Sequence, residues 1–358
     1  MDAAQPPATG TLDRRRALLA GSGLVTAGVV GDIPQPTTPD QLRGLADTLD
    51  GAFEYLPARQ IAYLTHHADK HGRAILADCD RGSRDYVQAC AAVGMLGATR
   101  AAALFDLGDR IRANTLYEKA FDDLGRGDHP VAQLWVLGRQ VIHETLQARP
   151  VLAVTLATHA RVFAARHGLD GHPAWARLLV QAEARALIAI RQVARAESVL
   201  REAADVMTAA PSTRVIGLHQ QGMSAAEFST SMATRYNELA DAEPRQADVY
   251  DDRAQAASYI IAAWPDLDQA GATGLRSYVR LELARVVLDD DPKMAAELLI
   301  DVADVSQQRP VDHLIGQYHT VARTIADRDI GLGRQLTDRL REWRGPTAGG
   351  GITRRFFA

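Results

Sequence analysis

Arg185 and Arg285 are the side chains of this sequence best suited to hold an anion. A guanidinium fork grips a carboxylate through two parallel hydrogen bonds, which an ammonium cannot do. Trp135 and Tyr278 would add rigid aromatic contact area, and Gln181 an amide. These five residues are expected to line a groove that binds a peptide, a small effector or a protein partner. The competing reading pairs both arginines with acids of neighbouring helices, such as Glu183 or Glu282.

Other clusters carry less chemistry. His67 and His71 share a helical face beside His66 and could ligate a metal. The glutamate of an H-E-x-x-H motif is replaced by Ala68, and Lys70 adds positive charge. His143 and Glu144 are chain neighbours, so on a helix they diverge by about 100°. The two cysteines, Cys79 and Cys90, are too few for a disulfide framework and read as buried thiols on helix faces. The run Asp289 to Asp291 lacks the glycine and the terminal glutamate of a calcium loop. There is no G-x-S-x-G elbow and no phosphate-cradling glycine loop. No catalytic residue, metal or cofactor is therefore expected, and the chain reads as non-enzymatic. The alternative is an enzyme whose site is assembled from scattered helix residues.

The elements that must position these side chains are helices. From Asp40 onward the chain is rich in Ala, Leu, Arg and Glu, all good helix formers. Period-two alternation is confined to the short stretch Val215 to Leu218. A small-large-small triplet with spacings of four and three recurs as Ala113-Tyr117-Ala120, Ala153-Ala157-Ala160, Ala196-Leu200-Ala203 and Ala296-Ile300-Ala303. Such spacing puts the three on one helical face, where the small residues admit a partner helix. Ala101, Val141, Ala184 and Ala284 mark the matching point on each preceding helix. Breaks fall at Gly108-Asp109, Ala148 to Pro150, Ile190 to Gln192 and Asp289 to Pro292. The gap between the last two triplets leaves room for about two units, or one unit and an irregular insert near 210–243. A closing pair is expected at 311–328 and 330–343. In stacked helix pairs the first helix of each lines the concave face, which is where the five groove residues fall.

At this point the chain resembles tetratricopeptide-repeat proteins, whose signature is the same small-large-small triplet. The period exceeds that family's usual 34 residues, and the early tryptophan and terminal proline never occur in the same copy. The body, about 84–344, also looks like the sensor half of actinobacterial helix-turn-helix regulators of the XRE type. Arg14 to Arg16 ahead of an apolar stretch and the final Leu340-Arg341-Glu342-Trp343 belong to that resemblance. It implies an all-α helical-repeat solenoid, an α-α superhelix, and a role in regulation. Only Met1 to Leu12 stand clear of the arginines, so no DNA-reading helix is expected there. A formal charge of −4 also argues against direct nucleic-acid binding.

The expected organisation has three parts. Residues 1–39 form a disordered arm with a twin-arginine-like segment, Arg14 to Val30, and a proline-rich linker. Residues 40–344 form the repeat domain, and 345–358 a flexible tail ending in Arg354-Arg355-Phe356-Phe357. The apolar run Ala17 to Val30 is too short to span a bilayer, so no transmembrane helix is expected. A cytoplasmic protein is expected, the alternative being an exported or membrane-tethered binding protein with that leader. Oligomers are compatible with all of this.

Overall fold

Among the described residues every regular element is a helix. The computed structural model describes residues 35–53, 56–210, 223–242, 246–270, 273–306 and 311–344. The arm with Arg14 to Val30, the stretch 211–222 and the tail 345–358 lie outside the described residues. The helices are α1 (Pro39–Ala52), α2 (Ala58–Asp78), α3 (Arg84–Asp106), α4 (Arg110–Arg126), α5 (Pro130–Leu146) and α6 (Pro150–Arg166). Next comes α7, built from Pro173–Leu178, a π-helical turn Leu179–Glu183 and Ala184–Ala189. It is followed by α8 (Val193–Ala209), α9 (Ala225–Ala242), α10 (Gln246–Ala270) and α11 (Thr273–Val287). The chain closes with α12 (Pro292–Val305), α13 (Asp312–Arg328) and α14 (Ile330–Arg344).

Local chemistry sets the helix starts. Ser83 Oγ accepts from Tyr86 N at 3.0 Å, and Asp291 Oδ1 from Met294 N at 2.9 Å. Both satisfy a backbone donor that the first turn leaves open. Pro130, Pro150, Pro173 and Pro292 occupy first turns, where no N–H is needed. The stops share one geometry. Gly108, Asp128, Ala148, Gly168 and Arg191 all have positive φ, from 49° to 78°. In each case the next residue's N–H reaches back five positions, as in Asp109 to Leu104, His129 to Leu124 and Arg149 to Glu144. This is the Schellman closure, usually reserved for glycine. Asp, Ala and Arg hold the left-handed position at three of these five joints.

Helices pack in consecutive pairs: α3 on α4, α5 on α6, α7 on α8, α9 on α10, α11 on α12 and α13 on α14. The triplet residues lie in these contacts. Ala113, Ala153, Ala160, Ala196 and Ala203 are fully buried, as are Tyr117 and Leu200, while Ile300 is partly buried against the core. Ala101, Val141, Ala184 and Ala284 are fully buried opposite them. Replacing Ala196 with leucine should overpack the α7–α8 contact and cost about 1–3 kcal/mol, read as a lower chemical-denaturation midpoint. An unchanged midpoint would refute the close approach.

The first helices of the pairs also touch one another in the order α5, α7, α9, α11, α13. The row bends back on itself, since His313 of α13 meets Arg185 of α7 at 3.0 Å. One apolar core runs from Leu42 to Leu239 and a second from Leu281 to Trp343. Ala233, Ile260, Ala263 and Val279 form a third, small cluster. Helix α3 is long and apolar enough to cross a membrane, but most of it is buried inside this core. Between the third and fourth triplets lies one helix pair, α9 and α10, within which Ala225–Ala242 of the expected insert is regular helix.

Candidate ligand cleft

Three of the row's helices bring basic side chains to one place. Arg185 of α7 donates through Nη2 to Glu238 Oε1 at 3.2 Å and to His313 Nε2 at 3.0 Å. Arg235 of α9 lies with Nη1 2.6 Å from Glu238 Oε2. That contact is a charge pair without hydrogen-bond alignment, and Arg235 Nε has no acceptor either. Arg139 of α5 donates to Tyr117 Oη at 3.3 Å and lies over the Phe105 and Trp135 rings, at 5.0 and 5.7 Å. The repeat's packing tyrosine therefore also orients a cleft arginine.

The electrostatics record this crowding. Burial pushes the His313 imidazole well below the usual histidine range, and Arg185, Arg235, Arg139 and Arg110 push it further. Since Nε2 accepts from Arg185, the ring is neutral with its proton on Nδ1. Burial, joined by Arg185 and Arg285, lowers Arg235 to about 10 against the opposing pull of Glu238 and Glu282. Arg139, Arg185, Tyr278 and His313 are each partly buried where these helices approach one another.

The structure distributes the sequence-derived groove residues as follows. Tyr278 stands beside His313, ring centres 6.4 Å apart, and so joins Arg185. Trp135 and Gln181 share a small indentation with Gly138, Arg139, Leu178 and Ala182, with room for about one water molecule. Gln181 is engaged by Glu227 and Ser231, both at 3.2 Å. Arg285 is held in a separate polar network: its Nη1 pairs with Glu282 Oε2 at 3.0 Å, and its Nη2 with Asp241. The two arginines lie two steps apart in the row, on α7 and α11, and both act on Arg235 because α9 packs against α7 and α11 at once. Both arginines pair with acids of a neighbouring helix, Arg185 with Glu238 and Arg285 with Asp241 of α9, while Glu282 pairs with Arg285 from within α11 and Glu183 does not take Arg185.

Arg139, Arg235, Glu238 and His313 escaped the sequence reading. Arg139 had a signal, lying one turn beyond Trp135 on the same face. The π-turn inside α7 had none. Its wider turn offsets the drift of a regular helix, so Arg177, Gln181 and Arg185 all reach α9, at Glu227, Ser231 and Glu238.

The remaining clusters include one neighbour of the cleft, His143, on which Arg139 and Arg110 act. His66 and His67 make ring contacts on α2, and no group of three or more metal-ligating side chains occurs among the described residues. His143 is buried against Phe105. Cys90 is buried, but Cys79 caps α2 and is partly exposed, because the helix ends there.

Burial lowers His129, His143 and His172 as well as His313. The unfolded chain then binds more protons below about pH 6.5, so this stability is present above that pH and lost as pH falls through the window. Glu183, raised by burial, works in the opposite sense and only partly offsets it. Melting temperature is expected to fall between pH 7 and 5, and less so in His313→Gln. A flat profile would contradict neutral buried imidazoles.

No protein-family model matches the chain, and no curated protein is significantly similar to it.

Proposed function

We propose that this chain is a non-enzymatic interaction protein of tetratricopeptide-like architecture that holds an acidic peptide segment of a partner or effector in the cleft between α5, α7, α9 and α13. The convergence of the partly exposed Arg139, Arg185 and His313 around the buried Arg235 carries the reading. Paired helices with buried alanines at the triplet positions support the repeat architecture. The resemblance to sensor halves supports a regulatory use, with any DNA-binding surface supplied by a partner.

The test is panning of a random peptide library on the full chain, followed by calorimetric titration of the selected peptides. Selected sequences should be acidic, and binding should weaken with salt. Arg185→Ala should cost about 1.5–3 kcal/mol of binding, the range for hydrogen bonds to charged groups. Selection without charge preference, or full binding by folded Arg185→Ala, would reject the cleft.

A further inference from the structure

We propose that the floor of this cleft is a site for a phosphomonoester dianion, with Arg185 and Arg235 as its guanidinium ligands and Glu238 as the internal carboxylate that holds their place. This rests on the cleft reading above and names the chemistry of its anchor.

Arg139, Arg185 and Arg235 have one carboxylate, Glu238, within ion-pair distance among the described residues. That single group serves two arginines, one on each oxygen. Arg110 and Asp106 add one charge of each sign nearby, and Arg285 with Glu282 and Arg253 with Asp241 add two more balanced pairs. Two positive charges therefore stay uncompensated, which matches a dianion better than a lone carboxylate. Arg235 is 4% exposed, with an Nε that donates to nothing and an Nη1 that touches Glu238 out of line. A buried guanidinium with unused donors is costly unless something accepts from it. Tetrahedral phosphoryl oxygens suit guanidinium forks arriving from two helices. His313 adds a second kind of donor, because its proton sits on Nδ1 while Nε2 accepts from Arg185. It is also the second residue of α13, whose first-turn N–H groups favour negative charge.

In the occupied state the phosphoryl group takes the donors of Arg185 and Arg235, and Glu238 gives way. No bond is made or broken covalently. Glu238 is thus a competitor built into the site, and this yields a test that a structural salt bridge would not pass.

The experiment titrates the full chain with a phosphoserine peptide built on a selected sequence, with the same peptide bearing serine, and with inorganic phosphate as competitor. The phosphopeptide should bind roughly 10–100-fold more tightly than its serine form, and phosphate should displace it. Glu238→Gln should tighten phosphate binding about tenfold, since an ion pair to the site arginines is lost while the side-chain shape is kept. Arg235→Met should abolish it; should that variant not fold, Glu238→Gln alone decides. Failure of phosphate to compete, together with unchanged or weaker binding by folded Glu238→Gln, would overturn the proposal. If the serine peptide then still binds, the cleft stands and only the phosphoryl assignment falls. If phosphate binds with this dependence and no peptide does, the dianion site stands and the peptide reading falls.

Discussion

Replacing Glu282 with alanine is expected to cost the fold about 3–5 kcal/mol, the range for removing one partner of a buried ion pair. Glu282 is fully buried on α11. Its Oε2 accepts from Asn237 Nδ2 at 2.7 Å and pairs with Arg285 Nη1 at 3.0 Å. Arg285 continues to Asp241, which also holds Arg253 of α10 at 2.6 Å. Without Glu282, the Arg285 side chain, 11% exposed, keeps one carboxylate for a charge that cannot reach water freely. The network also ties α9, α10 and α11 together. Glu282→Gln keeps the acceptor for Asn237 and should lose less. Urea unfolding of both variants checks this; a loss under about 1 kcal/mol in Glu282→Ala would show that the network is relaxed rather than required.

Arg161→Ala should cost about 3 kcal/mol, the low end of that range, because Glu183 is buried while Arg161 and Glu202 are 33% and 39% exposed. Arg161 Nε donates to Glu183 at 2.8 and 2.9 Å, while Nη1 and Nη2 grip Glu202 at 3.1 and 2.9 Å. Its guanidinium lies 5.0 Å over the Trp175 ring, and Trp175 Nε1 donates to Glu202 Oε1 at 3.1 Å. One side chain thus clamps α6, α7 and α8. Glu183 sits in the π-turn, 5% exposed, and burial raises its carboxyl even with Arg161 present. Removing Arg161 leaves that carboxylate unpaired, so the penalty should be largest near neutral pH and shrink as acid protonates Glu183. Lysine cannot supply the fork and should rescue only part. A penalty independent of pH would place the loss in packing against Trp175 instead.

The pairing of helices was legible because its determinants are local. Alanine triplets, the Asp109 and Asp291 caps and Pro150 and Pro292 at helix starts are written in consecutive residues, and the pairs follow from them. The closing pair, expected at 311–328 and 330–343, is α13 and α14. What stayed hidden is geometry without a residue signature. The left-handed stops at Asp128, Ala148 and Arg191 use residues that seldom adopt that conformation. The π-turn of α7 contains no glycine or proline. The bend that carries His313 to Arg185 joins residues far apart in the chain, and no periodicity encodes it. Of the cleft, therefore, Arg185 and Tyr278 were readable from repeat position, whereas Arg235, Glu238 and His313 needed the packed row of helices.

Amide hydrogen exchange of the full chain, with and without a peptide from the library selection, tests the cleft most directly. Protection should rise on the inner helices, around Trp135 to Arg139, Gln181 to Arg185, Arg235 to Glu238 and the first turns of α13. Protection confined to the outer helices α4, α6, α8 and α12, with these four segments unchanged, would contradict the assignment.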